Sequence, residues 1–85
     1  MYKIVFTKQA ERALLKMPCN AADQVRQKLL RLAENPYAPP NNATRLQGRP
    51  GFRLRIGDWR VIYEVEDDIL RILVLKIGKR GEVYR

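Results

Sequence analysis

From Phe52 to Val65 apolar residues fall on every second position, and the alternation pauses once, at Gly57-Asp58. Strict period two over this length admits one local structure, a β-strand with one buried face. Two residues including a glycine are what a tight hairpin turn needs, because glycine takes positive φ without steric cost. Counting outward from the turn sets the pairing: Ile56 with Trp59, Arg55 with Arg60, Leu54 with Val61 and Arg53 with Ile62. Phe52, Leu54, Ile56, Trp59, Val61 and Tyr63 then share an apolar face, and Arg53, Arg55 and Arg60 share the other. Trp59 is expected in the core.

The remaining elements follow from this hairpin. Ile69 to Ile77 is apolar on both faces apart from Arg71 and Lys76, a pattern that predicts a central strand buried on both sides. A two-residue turn at Asp67-Asp68 would bring Glu64 opposite Arg71 as a cross-strand ion pair. Near the N-terminus, Tyr2 to Phe6 is rich in β-formers and reads as a strand. Thr7 offers an N-cap, and Ala10, Ala13, Leu14 and Met17 form the stripe of an amphipathic helix that Pro18 ends. Asn20 is the expected cap of a second helix with Ala22, Val25, Leu29, Leu32 and Ala33 on its apolar face, stopped at Asn35-Pro36. Pro36 to Asn42 is a stiff, irregular connection. The whole chain, 1–85, predicts one α+β domain: an N-terminal strand, a helical hairpin, then a three-stranded antiparallel meander. Together these make a four-stranded sheet with the helices on one face.

Composition narrows the function. The net charge is +8 in 85 residues, which favours a polyanionic partner. The chain has no histidine and one cysteine, Cys19. A Ser-His-Asp or Cys-His mechanism is thereby excluded, a zinc site is not expected, and no disulfide framework can form. Without a histidine to activate it, Cys19 reads as inert. No signal peptide and no membrane-spanning apolar run is present, so a cytoplasmic location without membrane contact is expected.

Two arginines directly opposite one another repel, at a cost of ~0.2–1 kcal/mol. On an exposed strand a single arginine is an ordinary solvated side chain that also blunts edge pairing. Three clustered without a matching acid point to function, because a bound polyanion removes the repulsion. A guanidinium binds phosphate through two N–H groups and keeps its charge at neutral pH, so it stabilises negative charge and is a poor general base. Arg45 and Arg49, in the loop before the meander, and Lys79, after Gly78, are further candidates for phosphate contacts. Arg80 follows Lys79, and Tyr84 lies one residue from the end. For Tyr84 two readings stand level: a ring closing a small core, or a phenol that stacks on a base or exchanges a proton.

Gly51-Phe52-Arg53-Leu54-Arg55-Ile56-Gly57-Asp58-Trp59-Arg60-Val61-Ile62-Tyr63, Ile77-Gly78-Lys79-Arg80 and the nearby Tyr84 together resemble the RelE/ParE superfamily of toxins from toxin–antitoxin modules. The Asn35-Pro36 helix end and Leu46-Gln47-Gly48 fit as well, and the likeness covers nearly the whole chain. Its RelE-like branch is the more similar. The resemblance implies a ribosome-dependent endoribonuclease that cuts messenger RNA in the A site by attack of a 2′-hydroxyl on the adjacent phosphate. It also implies a cognate antitoxin as partner, no metal and no cofactor. On this resemblance Arg53 and Arg55 match two basic strand positions, usually lysines. Arg60 matches the arginine before the Val-Ile-Tyr run, Arg80 the arginine after Gly-Lys, and Tyr84 the tyrosine that stacks on the cleaved nucleotide. The alternative within the superfamily is a ParE-like, non-nuclease inhibitor of DNA gyrase.

Overall fold

A computed structural model describes residues 2–36, 43–48 and 50–79. Strand β1 (Lys3–Phe6) leads into helix α1 (Lys8–Lys16) and helix α2 (Cys19–Glu34). Four strands follow: β2 (Ala43–Arg45), β3 (Phe52–Ile56), β4 (Trp59–Glu66) and β5 (Arg71–Lys79). The α+β class and the helical hairpin are as expected. The sheet has five strands instead of four, in the order β1-β5-β4-β3-β2. The added strand is β2, which pairs antiparallel with β3 and places Thr44 opposite Arg53. Three residues between punctuating prolines and glycines carry too little alternation to be read as a strand; pairing with β3 creates it.

The sheet is also mixed, because β1 pairs parallel with β5. Past Phe6 the chain turns into α1, and two side chains take over the bonding along β5. The Thr7 hydroxyl donates to the Leu75 carbonyl at 2.6 Å, while its oxygen accepts the Ala10 N–H at 3.3 Å as the expected N-cap. The Gln9 amide donates to the Ile77 carbonyl and accepts the Ile77 N–H, both at 3.2 Å, as a neighbouring strand would. Helix α2 begins at Cys19 with Pro18 in the capping position, not at Asn20. Proline fits there because a helix leaves its first N–H groups unbonded within itself.

The core lies between the helical hairpin and one sheet face. Ala10, Leu14, Met17, Ala22, Val25, Leu29, Leu32 and Ala33 meet Leu54, Ile56, Val61, Tyr63, Ile72, Val74 and Ile77. Trp59 is only partly buried at the edge of this cluster, because its strand position lies at the end of the hairpin. Strand β5 is central, yet only one of its faces is covered: Ile72, Val74 and Ile77 are buried, while Leu73 and Leu75 are half-exposed. The expected burial on both sides is therefore not realised, since both helices pack on the same face.

Candidate nucleic-acid interface

The Gly57-Asp58 hairpin forms with Gly57 at φ +59°, and all the expected pairs are present: Ile56–Trp59, Arg55–Arg60, Leu54–Val61 and Arg53–Ile62. The arginines therefore sit on the sheet face away from the helices. Glu64, which alternates with Tyr63 and Val65 of the core side, shares that face, so the expected lack of an acid there is not met. Arg55 is exposed, and Arg53 and Arg60 are half-buried. On the far side of Arg60 its neighbour across β4 and β5 is Gly78, which contributes no side chain. The row thus runs Arg55, Arg60, then open backbone. The Nε and Nη1 atoms of Arg60 are shielded from solvent and have no hydrogen-bond partner among the described residues. A guanidinium in that condition is poised for an anion, since a buried donor without an acceptor costs ~1–3 kcal/mol or more when charged.

Lys76 joins this face, a residue the sequence pattern did not single out. The pairing of β4 with β5 slips at Ile62/Tyr63, so Ile62 opposes Lys76 and Tyr63 opposes Val74, leaving Leu75 as the extra residue. The slip resets the phase of β5 and puts the exposed Lys76 in line with Ile62, Arg53 and Thr44. Only the Lys76 charge inside an apolar run hinted at it.

The other candidates go elsewhere. Arg45 opposes Phe52 and lies over its ring at 5.9 Å, which places it on the helix side of the sheet. Lys79 opposes Trp59 with its ammonium 5.6 Å from the indole centroid, also on the helix side. Cation–π contacts of this kind contribute ~0.5–1 kcal/mol when exposed. Arg49, Arg80 and Tyr84 lie outside the described residues. At the opposite end of the sheet the expected Glu64–Arg71 pair is replaced by Glu66–Arg71. Asp67–Ile69 form a 3₁₀ turn with Leu70 at φ 50°, so the turn is longer than two residues and Glu64 faces Leu73. The Glu66 carboxylate accepts two hydrogen bonds from Arg71, at 2.8 and 3.0 Å. Those bonds hold its pKa below the ordinary glutamate value.

An α+β domain with two helices on one face of a five-stranded sheet and an arginine row on the other defines a basic, sheet-presenting module. A family model for the ParE toxin of type II toxin–antitoxin systems, parDE, matches residues 4–84. The mRNA interferase toxin RelE of Escherichia coli is 30% identical over 88 residues, covering 98% of this chain and 90% of the relative. The mRNA interferase RelE of Shigella flexneri matches to the same extent, 30% over 88 residues. Among solved structures, the isolated Escherichia coli RelE toxin superimposes with a TM-score of 0.81 at 26% identity, covering 99% of this chain and 92% of that one. The archaeal RelE–RelB complex from Pyrococcus horikoshii gives 0.82 at 28%, with 95% and 97% covered. The chain belongs to the RelE/ParE superfamily of type II toxin–antitoxin toxins, in its RelE-like branch.

Proposed function

We propose that this chain is a ribosome-dependent endoribonuclease, held inactive by a cognate antitoxin. The observation that carries the reading is the arginine row: Arg55 opposite Arg60, with Arg53 on the same face and unpartnered guanidinium atoms on Arg60. Support comes from relatives named mRNA interferases and from a relative solved with its RelB partner.

In this reading the ribosome presents the messenger and the toxin supplies charge and orientation. The 2′-hydroxyl oxygen bonds to the adjacent phosphorus and the bond from phosphorus to the 5′-oxygen breaks. The 2′-hydroxyl gives up its proton and the leaving 5′-oxygen takes one up, so the products are a 2′,3′-cyclic phosphate and a 5′-hydroxyl and no water enters. Charge grows on the non-bridging oxygens. Arg60 meets that charge, with Arg53 and Arg55 holding the flanking phosphates and Lys76 adding a contact beside them. Arg80 and Tyr84 keep the roles the resemblance implies: charge on the scissile phosphate and stacking on the cleaved nucleotide. Arginine does not accept a proton at neutral pH, so the reading assigns no arginine as base.

The test is to induce the chain in bacteria and map messenger RNA 5′ ends. Cuts in phase with the reading frame, absent with Arg60→Ala at equal expression, are expected. A second reading follows from the family model, whose description is of a ParE toxin. Intact transcripts with altered DNA supercoiling would favour that gyrase-directed alternative.

A further inference from the structure

Helix α2 sorts its polar residues onto two flanks. On one, Asp23, Arg26 and Glu34 follow at near-helical spacing, and Arg26 pairs with Asp23 at 3.4 Å. On the other, Gln24, Gln27, Lys28 and Arg31 fall at i, i+3, i+4 and i+7, a single stripe. These four side chains and Ile56 line a groove of about 240 Å³ between α2 and the end of the β3–β4 hairpin. No carboxylate among the described residues lines it. Lys28 is half-buried, as suits a lysine whose apolar stem lies along the protein. Neither Lys28 nor Arg31 makes a salt bridge among the described residues.

The position of the groove matters as much as its charge. Ile56 points into it, while the preceding residue, Arg55, points to the opposite sheet face beside Arg60. The hairpin end is thus flanked by cations on both sides. Asp58, at the turn itself, does not line the groove. The groove offers a protein partner no apolar anchor, because Ile56 is only 4% exposed. Two cations with two amides match phosphate oxygens and ribose hydroxyls instead. The groove between α1 and the sheet also has two cations, Arg12 and Lys16, but sets them beside Ala13, Trp59 and Ile77, a more apolar lining than that of the Lys28–Arg31 groove.

We propose that the Lys28–Arg31 groove is a second, sequence-independent contact for RNA backbone, docking the toxin on folded RNA while the arginine row faces the strand to be cut. The proposal rests on the RNA-directed reading above, and its test separates the two. Binding of the full chain to 70S ribosomes is measured across a salt series, alongside single-turnover messenger cleavage at saturating toxin. Each neutralised phosphate contact contributes ~0.7–0.9 to the slope of log affinity against log salt. Lys28→Gln and Arg31→Gln should each reduce the slope by about that amount and the double variant by about twice it, with cleavage at saturation unchanged. Arg26→Gln, which removes the same charge from the other flank, should leave the slope as it was. A wild-type slope and affinity in the double variant overturn the groove and leave the nuclease reading standing. Equal losses from Arg26→Gln and Arg31→Gln overturn it too, since net charge would then explain the effect. A groove-dependent slope with no cleavage by the parent chain supports the groove and overturns the nuclease reading. Absence of ribosome binding by the parent chain overturns both.

Discussion

Arg55 and Arg60 face each other across the Gly57-Asp58 hairpin, two like charges in direct register on an otherwise well-formed sheet. Directly opposed side chains have Cβ atoms about 4.5–5.5 Å apart, so the pair is repulsive without an anion. On the proposed nuclease reading, stability and function pull apart at this point. Arg60→Met keeps the length of the stem and removes the guanidinium with its unpartnered Nε and Nη1 atoms. Urea denaturation should show a gain of ~1 kcal/mol, while toxicity on induction is lost. A loss of stability would mean that the guanidinium is satisfied within the fold.

On the same reading, substitutions at Tyr84 and Arg80 separate stacking from proton transfer. Tyr84→Phe should leave cleavage mildly impaired and Tyr84→Ala severely impaired, since base stacking contributes ~1–3 kcal/mol. Arg80→Ala should slow single-turnover cleavage on programmed ribosomes with binding near wild type. Equal defects for the two tyrosine variants would make the hydroxyl the active part.

Tyr63 is 1% exposed, stacks on Phe52 with ring centroids 5.4 Å apart, and has a hydroxyl without a partner among the described residues. Burial pushes its pKa up to about 12 from 10.0. The folded protein therefore holds this proton where the unfolded chain releases it. The phenol's contribution is complete below pH 10 and falls by about 1.4 kcal/mol per pH unit as pH rises towards the folded value. Tyr63→Phe should be neutral to stabilising by ~1 kcal/mol near pH 7. Its stability should decline less steeply than wild type above pH 10, as read by urea midpoints.

For Glu66 the sign is reversed. Its pKa is depressed by the hydrogen bonds from Arg71, so the pair stabilises the fold above the unfolded glutamate value, 4.5, and fades as pH falls through the lower folded value. Glu66→Gln should lower the melting temperature slightly near pH 7, and the two melting curves should converge in acid. A constant gap down to pH 3 would mean that the carboxylate charge contributes nothing.

Gly51 sits at φ +119°, and a Cβ there would lie 3.0 Å from the Tyr63 carbonyl oxygen. Both the backbone conformation and the space exclude a side chain. Gly51→Ala should cost ~1–3 kcal/mol in chemical denaturation. It should also weaken pairing at the start of β3, seen as faster amide exchange at Leu46, whose N–H bonds to the Gly51 carbonyl at 3.0 Å. Gly48 has open space around its α-carbon, so Gly48→Ala tests the cost of positive φ alone.

The hairpin and its arginine row were legible from residue order, because strand alternation and a two-residue turn are local and their register follows by counting. The two helices were equally legible from the spacing of Ala10, Leu14, Val25 and Leu29. Tertiary structure decided what depends on distant partners. β1 lies parallel to β5, and Thr7 and Gln9 continue its bonding along that strand. β2 becomes a strand only beside β3. The slip at Ile62/Tyr63 sends Lys76 to the arginine face, and a turn longer than expected couples Arg71 to Glu66 instead of Glu64. Short segments carry too few side chains to choose among partners. The choice is made when the shared core closes and every buried backbone N–H and C=O must find a bond.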